Sequence, residues 1–180
     1  MNIFNPTGIE RGQYGATGHL AAMLGFEFWD DYINAVTDVK SVDARRTRKR
    51  LVKNSSGGAL LPGQLVAWAT GKAGLEVTNP AATAGVQIVG VVDFLLPSAG
   101  VPTTNYFWIY VEGPCKFLLD ANATSAEFDC LINSATIGGC VRTGTTSGAI
   151  VGRNETSGTT AAGGGTLANA TLFAGSFQPN

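Results

Sequence analysis

Residues 106–120 read Tyr-Phe-Trp-Ile-Tyr-Val-Glu-Gly-Pro-Cys-Lys-Phe-Leu-Leu-Asp, and this stretch decides the fold class. Aromatic and β-branched residues fill Tyr106–Glu112, a composition that packs on a pleated surface. Gly113-Pro114 then reads as a turn dipeptide, and Cys115–Asp120 as the returning strand. The same pattern extends outward on both sides. Val86–Phe94 (VQIVGVVDF) is a β-branched strand in which Gly90 marks a candidate bulge. Leu65–Thr70 and Leu75–Thr78 flank Gly71-Lys72-Ala73-Gly74 and read as a hairpin. Beyond residue 120, Phe128–Ile132, Gly139–Arg142, Ala149–Gly152 and Ala170–Phe173 continue the series. Short strands with a turn signal every ten residues or so predict an all-β fold, a small antiparallel β-barrel or β-sandwich. Composition agrees. Charged residues make up 14% of the 180-residue chain, and 24 residues are glycine. Long solvated helices draw on Lys, Glu and Arg, which are scarce here against a usual share of about 25% charged.

Ahead of this region the chain changes character. Residues 1–18 are rich in Gly, Asn and Thr and read as an extended arm. Trp29, Tyr32, Ile33 and Val36 have helical spacing and predict one short helix, although the same aromatics would equally anchor an arm onto the chain's own core. Lys40, Arg45, Arg46, Arg48, Lys49, Arg50 and Lys53 follow as a basic run, and Asn54-Ser55-Ser56-Gly57-Gly58 reads as a linker or turn. The expected organisation is an N-terminal arm over 1–56 and a β-domain over 57–180. Within the latter, 143–169 is a Gly/Thr/Ser-rich tract read as a surface loop or mobile segment. Charge is local. The net value is −1, made of −4 over 1–39, +6 over 40–53 and −3 over 54–180.

The residues that could carry chemistry are few. His19 stands alone in the arm, and no serine has a nucleophile-elbow context. Asp30/Asp31 and Glu127/Asp129 are carboxylate pairs, but Glu127 and Asp129 read better as flanks of a turn than as an acid/base pair. Gly71-Lys72 is followed by Ala73 where a phosphate loop needs Ser or Thr. Cys115, Cys130 and Cys140 match no metal or redox spacing and read as buried thiols in a reducing environment. Asn-x-Ser/Thr triplets begin at Asn54, Asn122, Asn154 and Asn169, and carry little weight because no secretory signal is seen. Two apolar-leaning stretches, 54–71 and 94–111, are broken by Pro62-Gly63 and by Pro97, Gly100 and Pro102, so neither forms a regular membrane-spanning helix. The expectation is a soluble protein with no catalytic site, cofactor or metal.

Seven cations in fourteen residues either stay solvated or meet an acidic surface. Docking on an acidic protein leads that choice, ahead of a plain solvated linker. Nucleic-acid binding comes last, because residues 40–53 contain no stacking aromatic.

Three segments of the β region carry a family resemblance: Leu61-Pro62-Gly63-Gln64-Leu65-Val66, Ile88-Val89-Gly90-Val91-Val92, and Ile109-Tyr110-Val111-Glu112-Gly113-Pro114. In this order and spacing they resemble the small head-decoration, or capsid cement, proteins of tailed bacteriophages, over about residues 59–120. That resemblance implies a non-enzymatic virion protein that binds the exterior of an assembled capsid, often as a trimer, and stabilises it. Its partners would be the major capsid protein and further copies of itself, with no membrane and no nucleic acid. Aromatic residues and arginine dominate interface hot spots. The candidate capsid contacts are therefore Phe26, Phe28, Trp29, Arg45, Arg46, Arg48, Lys49, Arg50 and Lys53. The alternative is a carbohydrate- or host-surface-binding β-module, which Trp68, Tyr106 or Trp108 lining a shallow groove would favour.

Overall fold

Side chains alternate between buried and half-buried along most of Arg46–Asn54, Tyr106–Leu118 is buried over most of its length, and these two strands organise the molecule. The computed structural model describes residues 9, 12–16, 18–31, 33–34, 39–40, 46–80, 87–120, 124–133, 141–143, 150–155, 158–159 and 166–177. In chain order the strands are β1 (Tyr14–Gly15), β2 (Glu27–Asp31), β3 (Ile33–Asn34), β4 (Val39–Lys40) and β5 (Arg46–Asn54). Then come β6 (Leu65–Trp68), β7 (Glu76–Thr78), β8 (Ile88–Val92), β9 (Tyr106–Leu118) and β10 (Thr124–Ser125). The last are β11 (Cys130–Asn133), β12 (Val141–Thr143), β13 (Ile150–Asn154), β14 (Gly158–Thr159) and β15 (Leu167–Phe177). The fold is all-β, as expected.

Strands β9, β8, β6, β7 and β5 hydrogen-bond in that order, and β5 pairs back onto β9, closing a five-stranded barrel. Every pairing in the ring is antiparallel except β5 with β7. Val52, Val66, Val77, Val92, Phe107 and Ile109 fill its interior. The predicted hairpin is β6–β7, and the register slips between Val66 and Ala67, opposite Gly90 and Ile88, where a bulge was expected. Past the barrel, β9 pairs with β15, and β13, β11 and β12 extend a wing. Phe117, Leu131, Val151 and Leu172 from the wing bury against Leu65, Val91 and Tyr110 on the barrel's outer surface.

Several expectations change. Residues 106–120 do not form two strands around a turn. The chain runs on as one strand through Gly113, whose φ of +91° turns it from barrel to wing without breaking it. Among the described residues of the 20–36 region there is no α-helix. Gly18–Met23 is a 3-10 helix and Glu27–Asp31 pairs antiparallel with Arg46–Arg50. Tyr32 and Val36 lie outside the described residues. Period two prevails because Phe26 and Phe28 both reach Trp108, with ring centroids 6.4 and 4.8 Å away. Ile9, Leu20 and Leu51 complete that cluster, so the aromatics anchor the N-terminal segment onto the chain's own core. Nor are the described residues 46–54 of the basic run a solvated linker: they form β5, at the centre of the structure. Finally, the tract at 143–169 contributes β13, β14 and the start of β15 to paired strands. Its small residues suit close strand packing, as where a Cβ on Gly152 would run into the Thr171 carbonyl oxygen.

Candidate functional site

On β5 the side chains of Thr47, Lys49 and Leu51 are buried on one face, while Arg48 and Arg50 share the other face with Val52. Val52 points into the barrel, so Arg48 and Arg50 rise from its interior toward one open end. They meet carboxylates supplied by neighbouring strands. Glu27 on β2 pairs with Arg50 through Oε1 and stands 3.7 Å from Arg48 through Oε2. Arg48 also lies 3.3 Å from Glu112 on β9. Lys53 is 3.9 Å from Glu76, and Lys72 in the β6–β7 turn is 4.0 Å from the same carboxylate. Arg48, Arg50 and Lys53 of the basic run are thus paired within the chain.

Lys49 lies on the opposite face of β5, away from the barrel interior, and is fully buried. Its Nζ lies 3.2 Å from Asp30 Oδ2 and over the rings of Tyr110 and Phe28, 4.9 and 5.9 Å from their centroids. A buried ammonium needs this kind of compensation from a carboxylate and π-faces. The Tyr110 hydroxyl donates to Asp93, a buried carboxylate that also accepts from the backbone N–H groups of Gly12 and Leu95. Asp93 therefore ties the N-terminal segment to the barrel.

Of the candidate contact residues, Phe26 and Phe28 pack against Trp108 and face the chain's own core. Trp29 is 42% exposed, with the Arg48 guanidinium 5.8 Å from its ring centroid. Arg46 is exposed at the start of β5, and Arg45 lies outside the described residues. Arg48, Arg50 and Lys53 are half-buried and ion-paired. Trp108 is buried, its indole N–H donating to the Ile9 carbonyl at 2.7 Å, so it cannot line a groove. Tyr106 packs beside it. Trp68 does border a cleft of about 220 Å³ where the barrel mouth meets the wing, together with Glu27, Arg48, Arg50, Gln87 and Val111 and with the wing residues Val151, Leu172 and Phe173.

His19 is exposed on the 3-10 helix. Glu127 and Asp129 flank a turn, where Asp129 Oδ2 accepts the Ala126 N–H at 2.7 Å. Cys115 is buried and Cys130 exposed, while Cys140 lies outside the described residues. Burial pushes the Cys115 thiol well above its ordinary value, and the charge of Glu155 adds to the rise. Among the described residues, no group of three or more His, Cys, Asp or Glu side chains is placed to hold a metal ion. No helix among them is long and apolar enough to cross a membrane.

Sequence reasoning missed Glu27, Glu76 and Glu112 as partners of the basic run, and Gln87 at the mouth. The only available signal was the acidic excess on either side of residues 40–53, which does not say which strands will lie together.

No family model matches the chain, and no curated protein matches its sequence. Among solved structures, the head fiber gp8.5 N base of bacteriophage phi29 is similar at a TM-score of 0.44 and 10% identity. The alignment covers 73% of this chain and 98% of that one.

Proposed function

We propose that the protein is a non-enzymatic structural component of a tailed-phage virion that binds the outer surface of the capsid and stabilises it. The three glycine-bearing segments that resemble capsid decoration proteins support this reading, and each falls on the barrel framework at or beside β6, β8 and β9. The observation that carries it is Trp29. This large aromatic side chain is 42% exposed on β2, which ends the sheet order, and an arginine is stacked on it. An exposed Trp on an edge strand, with an arginine of the next strand against its ring, is the residue chemistry of interface hot spots. This surface suits a largely apolar patch on the major capsid protein. The trimer implied by the resemblance would place three such surfaces on one shell position.

The test is co-sedimentation of the intact chain with empty capsids of its own phage. Wild-type protein is expected to pellet with capsids. Trp29→Ala is expected to weaken binding by about 2 kcal/mol, the usual scale of a hot-spot truncation, with an unchanged circular dichroism spectrum. Failure of the wild-type chain to pellet overturns the reading.

A further inference from the structure

We propose that the open end of the barrel is a binding site for one neutral pyranose residue, presented at the end or a branch of a glycan. This site shares Arg48 with the proposed docking surface but has its own ligand and its own test.

The walls are chemically mixed in a way that selects the ligand. Trp68 and the Arg50 guanidinium over its ring, 5.3 Å from the centroid, together form a flat, weakly hydrated wall, and the wing residues Val151, Leu172 and Phe173 add apolar lining. Around it stand the Glu27 carboxylate, the Arg48 guanidinium and the exposed Gln87 amide. Together these offer donors and acceptors at close spacing, which matches vicinal hydroxyl groups. Charge argues against an ionic ligand. The two guanidiniums are balanced by Glu27 and Glu112, so the mouth carries no net charge to attract an anion or a cation.

Arg48 adds an independent observation. Its Nε is buried and has no hydrogen-bond partner, although its terminal nitrogens are paired. A cationic donor in that position calls for an acceptor, and a ligand hydroxyl entering the cleft can supply one. Size sets the last limit. At about 220 Å³ the cleft is smaller than the roughly 300–1,000 Å³ of pockets that enclose drug-sized ligands. It fits one sugar ring, not a chain. The opening lies at a barrel mouth, where small-ligand sites recur because the strands end there and leave their last inward side chains accessible.

The experiment starts with a glycan array carrying neutral hexose, N-acetylhexosamine and uronic-acid termini, probed with the intact protein. Calorimetric titration with the methyl glycoside of the best terminus follows. Saturable binding to a neutral terminus is expected, at roughly millimolar Kd for a single ring. Trp68→Ala and Gln87→Ala should each weaken it roughly tenfold, whereas Leu75→Ala, exposed and outside the cleft, should leave it unchanged. Because Trp68 also packs on the barrel core, the exposed Gln87 variant keeps the test meaningful if Trp68→Ala unfolds. The proposal is overturned if no neutral sugar binds saturably, if only acidic sugars bind, if a peptide displaces the sugar, or if binding survives loss of Gln87.

Discussion

At the scale of single residues, the most informative position is Gly113. Its φ of +91° is open to glycine and strained for other residues, and an added Cβ would press on the Arg46 carbonyl oxygen and approach Thr47 Cα at 3.2 Å. Gly113→Ala is therefore expected to lower stability by about 2–3 kcal/mol, read as a shift of the urea midpoint at constant slope. The sequence singles out this glycine but suggests a turn, since a Gly-Pro pair looks the same whether the chain reverses or only bends. Cys115 makes a second prediction. Its thiol titrates above the ordinary value of about 8.5 because burial disfavours the thiolate. A raised folded value means the native state holds its proton more tightly. That contribution to stability is complete below the unfolded value and is lost as pH rises from there through the folded value. Urea midpoints should fall between neutral pH and pH ~10 more steeply in wild type than in Cys115→Ala. In native protein at pH ~8, a thiol reagent should label exposed Cys130 and spare Cys115.

At the scale of elements, β5 decides how the molecule can be cut. Leu51 and Val52 are fully buried on opposite faces of one strand, and Asn54 is buried at its end. The Asn54 amide donates to the carbonyls of Gly58 and Val101, and its carbonyl accepts from Ser56, so Asn54-Ser55-Ser56 is a hydrogen-bonded corner and not a slack linker. A chain beginning at Gly57 lacks one of the five barrel strands. It is expected to be unfolded, with collapsed amide dispersion in its NMR spectrum and rapid proteolysis. A well-dispersed spectrum from that fragment would mean the barrel closes without β5. The strand was hard to see because seven cations dominate residues 40–53, and the buried outer face of β5 uses Lys49 where a hydrophobe would have announced it. Lys49 serves there because Asp30, Phe28 and Tyr110 surround its ammonium group, and those partners come from two other strands.

At the scale of the whole molecule, the charge map has a consequence for binding. The +6 segment looks like a salt-sensitive docking arm in the sequence, yet Arg48, Arg50 and Lys53 spend their charge on Glu27, Glu112 and Glu76. The proposed capsid association is accordingly expected to change less than about threefold between 50 and 500 mM NaCl in a sedimentation series, because the contact proposed for it, Trp29, is aromatic and short-ranged. A steep loss with salt would show that the cations leave their internal partners on docking.

The sequence by itself determined the all-β class, the β6–β7 hairpin, the irregularity beside Gly90 and the turn at Glu127–Asp129. Each of these follows from local patterns: β-branched runs, glycine punctuation and short-range turn chemistry. Only the tertiary structure decided that the barrel closes through β5, that Phe26 and Phe28 cover their own Trp108, and that Trp68, Arg50 and Glu27 meet at one mouth. These features depend on register between strands far apart in the chain. Register is selected by the summed fit of whole faces, which no single segment encodes.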